Sequence, residues 1–79
     1  MRVSVKLYAS LAKYAGVTIM HEPIEVDLPS GSSLLDLYQR LNLPGSEVKT
    51  AFVNSTMQEA DYTLREGDEV GIFPPVGGG

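Results

Sequence analysis

Apolar and polar residues alternate strictly in two segments of the chain. Over residues 2–8, valine or leucine fills every second position and polar side chains fill most of the others. Residues 24–28 repeat this pattern and run into the turn-forming sequence 29–31. A period of two is typical of a strand with one buried face. We therefore predict two half-buried strands, antiparallel to each other.

Two helices are predicted around the second strand. Ser10 can cap a short helix that Gly16 closes, inserted in the connection between the two strands. Ser33 and Asp36 have the spacing of an N-terminal capping box, which indicates that the main helix starts there. One apolar face follows at three- and four-residue steps, and the helix is expected to stop at 42–45. That face consists of Leu34, Leu37, Tyr38 and Leu41.

The C-terminal half predicts two more strands. Residues 51–54 form a short apolar strand that runs into a polar turn at 54–56, and a tight turn follows at 64–68. In the last strand, 69–73, alternation turns Val70 and Ile72 inward and Phe73 outward. Pro74 and Pro75 prevent this strand from continuing as a paired central strand. Tyr38 and Phe52 are assigned to the core, and the acidic turn residues, Asp68 included, to solvent.

The element order is strand, strand, helix, strand, strand. One amphipathic helix on one face of a mixed sheet buries all these apolar stripes. The helix also supplies the long crossover that lets the first and last strands pair in parallel. We predict an α+β fold of the β-grasp (ubiquitin-like) type, with a mixed four- to five-stranded sheet, one main helix and a short helix after the first strand.

Composition excludes several function classes. The 79 residues contain no cysteine and one histidine, so neither a thiol nucleophile nor a cysteine- or histidine-based metal site is expected. A formal net charge of −4 without a basic stretch argues against nucleic-acid binding. No apolar run is long enough to span a bilayer. We expect one small cytoplasmic domain without membrane association, suited to a partner with a basic docking surface.

The last residues carry the strongest chemical signal. Three glycines, Gly77, Gly78 and Gly79, follow the stiff pair Pro74-Pro75 and Val76. A segment of glycines has no side chains and can therefore enter a channel that is too narrow for other residue types. Fully extended, residues 74–79 reach about 20 Å. We predict a β-grasp domain over residues 1–74 and a flexible glycine tail over 75–79, with the terminal carboxylate as the reactive group.

A carboxylate becomes reactive only after activation. Attack on the α-phosphate of ATP gives an acyl-adenylate, which a thiol, a persulfide or an amine can then attack. Sulfur on that carbonyl carbon gives a thiocarboxylate, a strong nucleophile. Because the chain has no cysteine, any transferable sulfur that it carries must sit there.

Several motifs resemble one family along nearly the whole chain. These are Tyr8-Ala9-x-Leu11, Val53-Asn54, Asp61-x-x-Leu64-x-x-Gly67-Asp68-Glu69-Val70 and Phe73-Pro74-Pro75-Val76-x-Gly78-Gly79. Together they resemble the MoaD group of the MoaD/ThiS sulfur carriers, the small subunits of molybdopterin synthase. The final segment is the most specific part of the resemblance.

The resemblance implies a sulfur carrier for molybdopterin that lacks a complete active site. Gly79 would be adenylated by an E1-like adenylyltransferase of the MoeB/ThiF type, which consumes ATP, while the carrier itself binds no cofactor. Sulfur from a sulfurtransferase or a cysteine desulfurase would convert Gly79 to a thiocarboxylate. The tail Pro75, Val76, Gly77 and Gly78 would then insert into the large synthase subunit of the MoaE type. Phe73, with Tyr8 beside it, would dock the partners.

Three alternatives stay open. A triple-glycine end also occurs in thiazole-type carriers, and close relatives serve tungsten-cofactor assembly. An amine in place of sulfur would make the chain a ubiquitin-like protein modifier. A β-grasp interaction module without tail chemistry is the third class, and it alone would tolerate deletion of Gly78 and Gly79.

Overall fold

One mixed sheet and one α-helix make up the fold in the computed structural model, which describes residues 1–8, 11 and 23–75. The elements are β1 (Arg2–Leu7), β2 (Ile24–Asp27), α1 (Leu34–Arg40), a 3-10 helix (Gly45–Glu47), β3 (Thr50–Val53), β4 (Thr56–Gln58) and β5 (Glu69–Phe73). The sheet has five strands in the order β2-β1-β5-β3-β4. The predicted α+β, β-grasp architecture is confirmed.

The two central strands, β1 and β5, are the first and last of the chain. They pair in parallel, with Leu7 opposite Ile72, while β2 pairs antiparallel to β1 on the other side. Both pairings were expected from the element order. The parallel pair brings the residue after β1 next to the end of β5, which is where the predicted tail begins.

The start of α1 is fixed by the predicted capping box. The backbone nitrogen of Asp36 donates to Ser33 Oγ at 3.3 Å, and the Ser33 nitrogen donates to Asp36 Oδ2 at 2.9 Å. These bonds satisfy two backbone donors that have no partner inside the helix. The helix ends at Arg40 with Leu41 as its C-cap, and the residue after the cap, Asn42, has a positive φ of 59°.

A single apolar core lies between α1 and the sheet face that it covers. Among the described residues it contains Val3, Val5, Leu7, Leu11, Val26, Leu28, Leu34, Leu37, Tyr38, Leu43, Ala51, Val53, Leu64, Val70 and Ile72. The inward positions of both predicted alternations are therefore buried, except Ile24, which packs at the edge of the core. The predicted short helix over 10–16 lies outside the described residues, apart from the buried Leu11.

The assignment of Phe52 to the core is wrong. Its neighbours Ala51 and Val53 face α1, so alternation along β3 places Phe52 on the other face, where it is half-buried. The polar turn is also shorter than predicted, because Thr56 already begins β4. Asn54 and Ser55 alone form the turn, with positive φ values of 50° and 71°, as a tight two-residue hairpin turn requires.

The assignment of Asp68 to a solvated acidic turn is also wrong. Only 6% of its surface is exposed. Its carboxylate accepts hydrogen bonds from Asn54 Nδ2 at 2.9 Å and from the Arg65 nitrogen at 2.8 Å. A buried charge is stable only with such partners, so Asp68 is part of the structure of the turn.

Candidate functional site

Tyr8 and Phe73 lie side by side on the sheet face that α1 does not cover. Their ring centroids are 4.3 Å apart and their planes differ by 4°. The pairing of Leu7 with Ile72 causes this arrangement, because the next residue on each strand points to the opposite face. The sequence predicted an outward Phe73 with Tyr8 near it, and the structure brings the two rings together.

Two further apolar side chains extend this surface toward the sheet edge. The Phe52 ring meets Phe73 edge to face, with centroids 5.7 Å apart. Met57, opposite Phe52 in the antiparallel pair of β3 and β4, is 64% exposed. We call Tyr8, Phe52, Met57 and Phe73 the apolar patch. Exposed apolar side chains that form one contiguous surface are typical of a binding site.

The sequence analysis missed Phe52 and Met57 as members of this patch. Ala51, Phe52 and Val53 are all apolar, so the alternation of β3 alone does not show which of them face the core. Once Phe52 is placed on the open face, Met57 lies on it too, because residues opposite each other in an antiparallel pair point to the same face. Recognising the hairpin turn at Asn54 and Ser55 would have given that register.

Gly71 lies in the middle of the patch and has no side chain. A β-carbon built there would be 3.2 Å from Tyr8 Cε2 and 3.7 Å from Phe73 Cε1. The edges of both rings therefore lean over the bare backbone of β5. Glycine inside a strand often marks a site that another group approaches closely.

The patch opens into a shallow groove with a polar end. The groove is lined by Tyr8, Phe52, Gly71 and Phe73 at its apolar end and by Ser4, Lys6, Pro23, Ser55, Glu69 and Val70 elsewhere. Such a mixture of apolar anchors and a polar rim is the usual anatomy of a protein–protein interface.

An ion-pair network borders the same face along β1 and β2. Arg2 Nε donates to Asp27 Oδ1 at 2.8 Å, and Arg2 Nη1 lies 3.3 Å from Glu25 Oε1. The hydrogen bond from Arg2, followed by its positive charge, holds the pKa of Asp27 below its ordinary value of 3.8. Both partners are exposed, so the network sets the charge of this border more than the stability of the fold.

The ends of β5 are fixed by hydrogen bonds. At its start, the Glu69 nitrogen donates to Asn54 Oδ1 at 2.9 Å. At its end, the Lys49 nitrogen donates to the Phe73 carbonyl at 2.9 Å, and the Tyr8 nitrogen donates to the Ile72 carbonyl at 3.1 Å. The chain thus leaves the sheet from a rigid strand directly beside the stacked rings.

The predicted tail residues start at this point. Pro74 is half-buried and Pro75 is exposed. Val76, Gly77, Gly78 and Gly79 lie outside the described residues, so the tail and the reactive terminus stay predictions. The docking role of Phe73 and Tyr8 is likewise a prediction that their position favours.

Metal and membrane sites were not expected. Within residues 1–8, 11 and 23–75, no group of three or more histidine, cysteine or acidic side chains could hold a metal ion. The described part of the chain also has no helix long and apolar enough to cross a membrane.

Comparison with known proteins identifies a family. The model of the ThiS family matches residues 5–79, which include the terminal glycines. No curated protein sequence matches the chain.

Solved structures share the fold. A Pyrococcus furiosus protein described as molybdopterin converting factor subunit 1 is 29% identical, with a TM-score of 0.73, and the match covers 96% of this chain and 99% of that one. Small archaeal modifier protein 1 from Haloferax volcanii is 21% identical, with a TM-score of 0.73 and coverage of 95% and 98%. A chain in a complex of subunits 1 and 2 of molybdopterin-converting factor from Helicobacter pylori is 20% identical, with a TM-score of 0.62, and the match covers 100% of this chain and 100% of that one.

The family match spans nearly the whole chain, and the structural neighbours have the β-grasp fold that the sequence predicted. The chain therefore belongs to the ThiS family of ubiquitin-like sulfur carriers.

Proposed function

We propose that this chain carries sulfur for molybdopterin assembly, with Gly79 as the residue that is loaded. The observation that carries the proposal is the position of the stacked Tyr8 and Phe73 rings at the end of β5, a few residues before the terminal glycines in the sequence. A partner that docks on these rings would have the tail within reach of its own active site. The similar Pyrococcus furiosus protein, described as a molybdopterin converting factor subunit, supports this pathway.

The loading chemistry follows from the carboxylate. An oxygen of the Gly79 carboxylate attacks the α-phosphate of ATP on an E1-like adenylyltransferase, and pyrophosphate leaves. A sulfur nucleophile from a sulfurtransferase or a cysteine desulfurase then attacks the carbonyl carbon, and AMP leaves. If that nucleophile is a persulfide, a second thiol of the partner attacks the inner sulfur of the acyl persulfide, so that a disulfide forms on the partner and the sulfur–sulfur bond breaks to release the thiocarboxylate. All catalytic groups belong to the partners, and ATP is consumed by the activating enzyme.

The second proposed partner is the large molybdopterin synthase subunit. The Helicobacter pylori structure is a complex of subunits 1 and 2 of its converting factor, and one of its chains matches this fold. By analogy, the apolar patch would dock the large subunit, and residues 75–79 would deliver the thiocarboxylate to it. We place this reaction sequence in the cytoplasm.

Intact mass spectrometry tests the loading step. The full chain is incubated with ATP, its E1-like enzyme and a sulfur source, and we expect one oxygen to be replaced by one sulfur at Gly79. Omission of ATP and deletion of Gly79 are the controls. An unchanged mass, with an activating enzyme that loads another carrier, would contradict the proposal.

Product assays separate the pathways. Loaded carrier mixed with the large synthase subunit and the molybdopterin precursor should give the dithiolene product, whereas a thiazole-type carrier would instead supply a thiazole synthase. A protein modifier would form high-mass adducts with lysines, which blotting of a lysate reveals. Exclusive transfer to thiazole synthase or to protein lysines would overturn the molybdopterin assignment.

A further inference from the structure

Gly71 controls the shape of the apolar patch without contributing a side chain. We propose that Gly71 is a positioning residue for partner docking: its bare α-carbon lets the stacked Tyr8 and Phe73 rings lean against β5 in the arrangement that the large subunit contacts. The inference rests on the proposed function, because it presumes docking of that subunit on this face.

The backbone does not explain the glycine. The positive φ values that favour glycine occur at Gly31 and Gly67, with 89° and 83°, but not at Gly71. Glycine is also a poor strand residue, and a β-branched residue would suit this position of β5 better. Neither the local conformation nor strand stability therefore calls for glycine here.

The space above Gly71 does explain it. An added β-carbon would be 3.2 Å from Tyr8 Cε2, closer than ordinary van der Waals contact. Alanine would push the Tyr8 ring by a few tenths of an ångström, and the branched side chain of valine would push it further. Phe73 would also be affected, because its Cε1 would be 3.7 Å from the same β-carbon and its ring is stacked on Tyr8.

A displaced ring matters more for docking than for folding. Tyr8 and Phe73 lie outside the core under α1, so their movement leaves that core intact. Buried aromatic anchors, in contrast, often dominate the affinity of an interface, and they require close shape complementarity. Gly71→Val should therefore fold as well as the wild type and bind its partner less tightly.

Isothermal titration of the full chain against the large synthase subunit of the same organism tests the proposal. We expect Gly71→Val to raise Kd roughly tenfold and Gly71→Ala to raise it by a smaller factor. Gly45→Ala and Gly45→Val are the matched controls, because a β-carbon at Gly45 meets nothing within 4 Å. Thermal melting of each variant separates a loss of docking from a loss of folding.

An NMR readout follows the rings independently of the partner. Cross-relaxation between the ring protons of Tyr8 and Phe73 should be strong in the wild type and in Gly45→Val, and weak in Gly71→Val. A Gly71→Val variant that keeps this signal, or that binds the large subunit as tightly as the wild type, would overturn the inference while the proposed function stands. A wild-type chain that does not bind the large subunit would overturn both.

Discussion

Asn54 Nδ2 donates to Asp68 Oδ1 at 2.9 Å and thereby joins the β3–β4 hairpin turn to the segment before β5. The same asparagine accepts from the Glu69 nitrogen through Oδ1 at 2.9 Å. Asp68 uses its second oxygen for the Arg65 nitrogen at 2.8 Å. Two side chains therefore fix where β5 begins, and with it the register that places Phe73 beside Tyr8.

Replacement of Asp68 by asparagine should destabilise the fold. Asn54 Nδ2 and the Arg65 nitrogen donate to different oxygens of Asp68, and the amide replaces one of these oxygens by an NH2 group that cannot accept, so one donor loses its partner. A lost partner in a buried site typically costs about 1–3 kcal/mol. Urea unfolding followed by circular dichroism measures the free energy of unfolding. Asp61→Asn, at an exposed position of the same charge, is the control and should change it little.

The Arg2–Asp27 pair predicts a pH effect confined to the acid range. The pKa of Asp27 is lowered from 3.8 by the hydrogen bond and the charge of Arg2. A carboxyl whose pKa is lowered in the folded state stabilises the fold at pH values above its ordinary pKa. This contribution is lost as the pH falls through the lowered pKa. In Arg2→Gln, an NMR titration of the Asp27 carboxyl should give a midpoint closer to 3.8.

Added salt provides a second check of this pair. Because both side chains are exposed, salt should screen the attraction and raise the Asp27 midpoint in the wild type. The Arg2→Gln variant should show a smaller response. Equal midpoints in wild type and variant at low salt would show that Arg2 does not hold the carboxylate.

Local signals predicted most of the fold. The alternation of residues 2–8 and 24–28 gave two strands, and the spacing of Ser33 and Asp36 gave the start of α1. Each of these signals involves residues a few positions apart, whose side chains meet through the geometry of one strand or one helical turn. The parallel pairing of β1 and β5 followed from the order of elements and the length of the crossover.

The remaining features depend on contacts between distant parts of the chain. Phe52 sits in a run of three apolar residues, in which the period is ambiguous until the neighbouring strands fix the buried face. Asp68 has the sequence context of a solvated turn residue, and one of the two hydrogen bonds that satisfy its buried carboxylate comes from Asn54, fourteen positions earlier. The apolar patch was partly predictable, because alternation turned Phe73 outward. The position of Gly71 beneath the Tyr8 ring was not predictable, because these two residues are far apart in the sequence.

Ser33→Ala should weaken the start of α1. It removes the oxygen that accepts from the Asp36 nitrogen at 3.3 Å, so a backbone donor of the first turn loses its partner. Loss of such a cap usually costs about 0.5–2 kcal/mol. Thermal or urea unfolding measures the loss, and Ser30→Ala, at an exposed position before the helix, should be close to neutral. A neutral Ser33→Ala would mean that Asp36 alone caps the helix.

Phe73→Ala should separate docking from folding. Its ring is half-buried and packs on Tyr8 and Phe52 outside the core, so its removal should destabilise the fold less than the removal of a core residue. Loss of a central aromatic anchor typically weakens an interface by about 2 kcal/mol or more, which is roughly a 30-fold rise in Kd. Titration against the large synthase subunit measures this rise. Leu35→Ala, at a 50% exposed position on α1, is the matched control on the opposite side of the sheet. An equal loss of affinity in both variants would place the docking surface elsewhere.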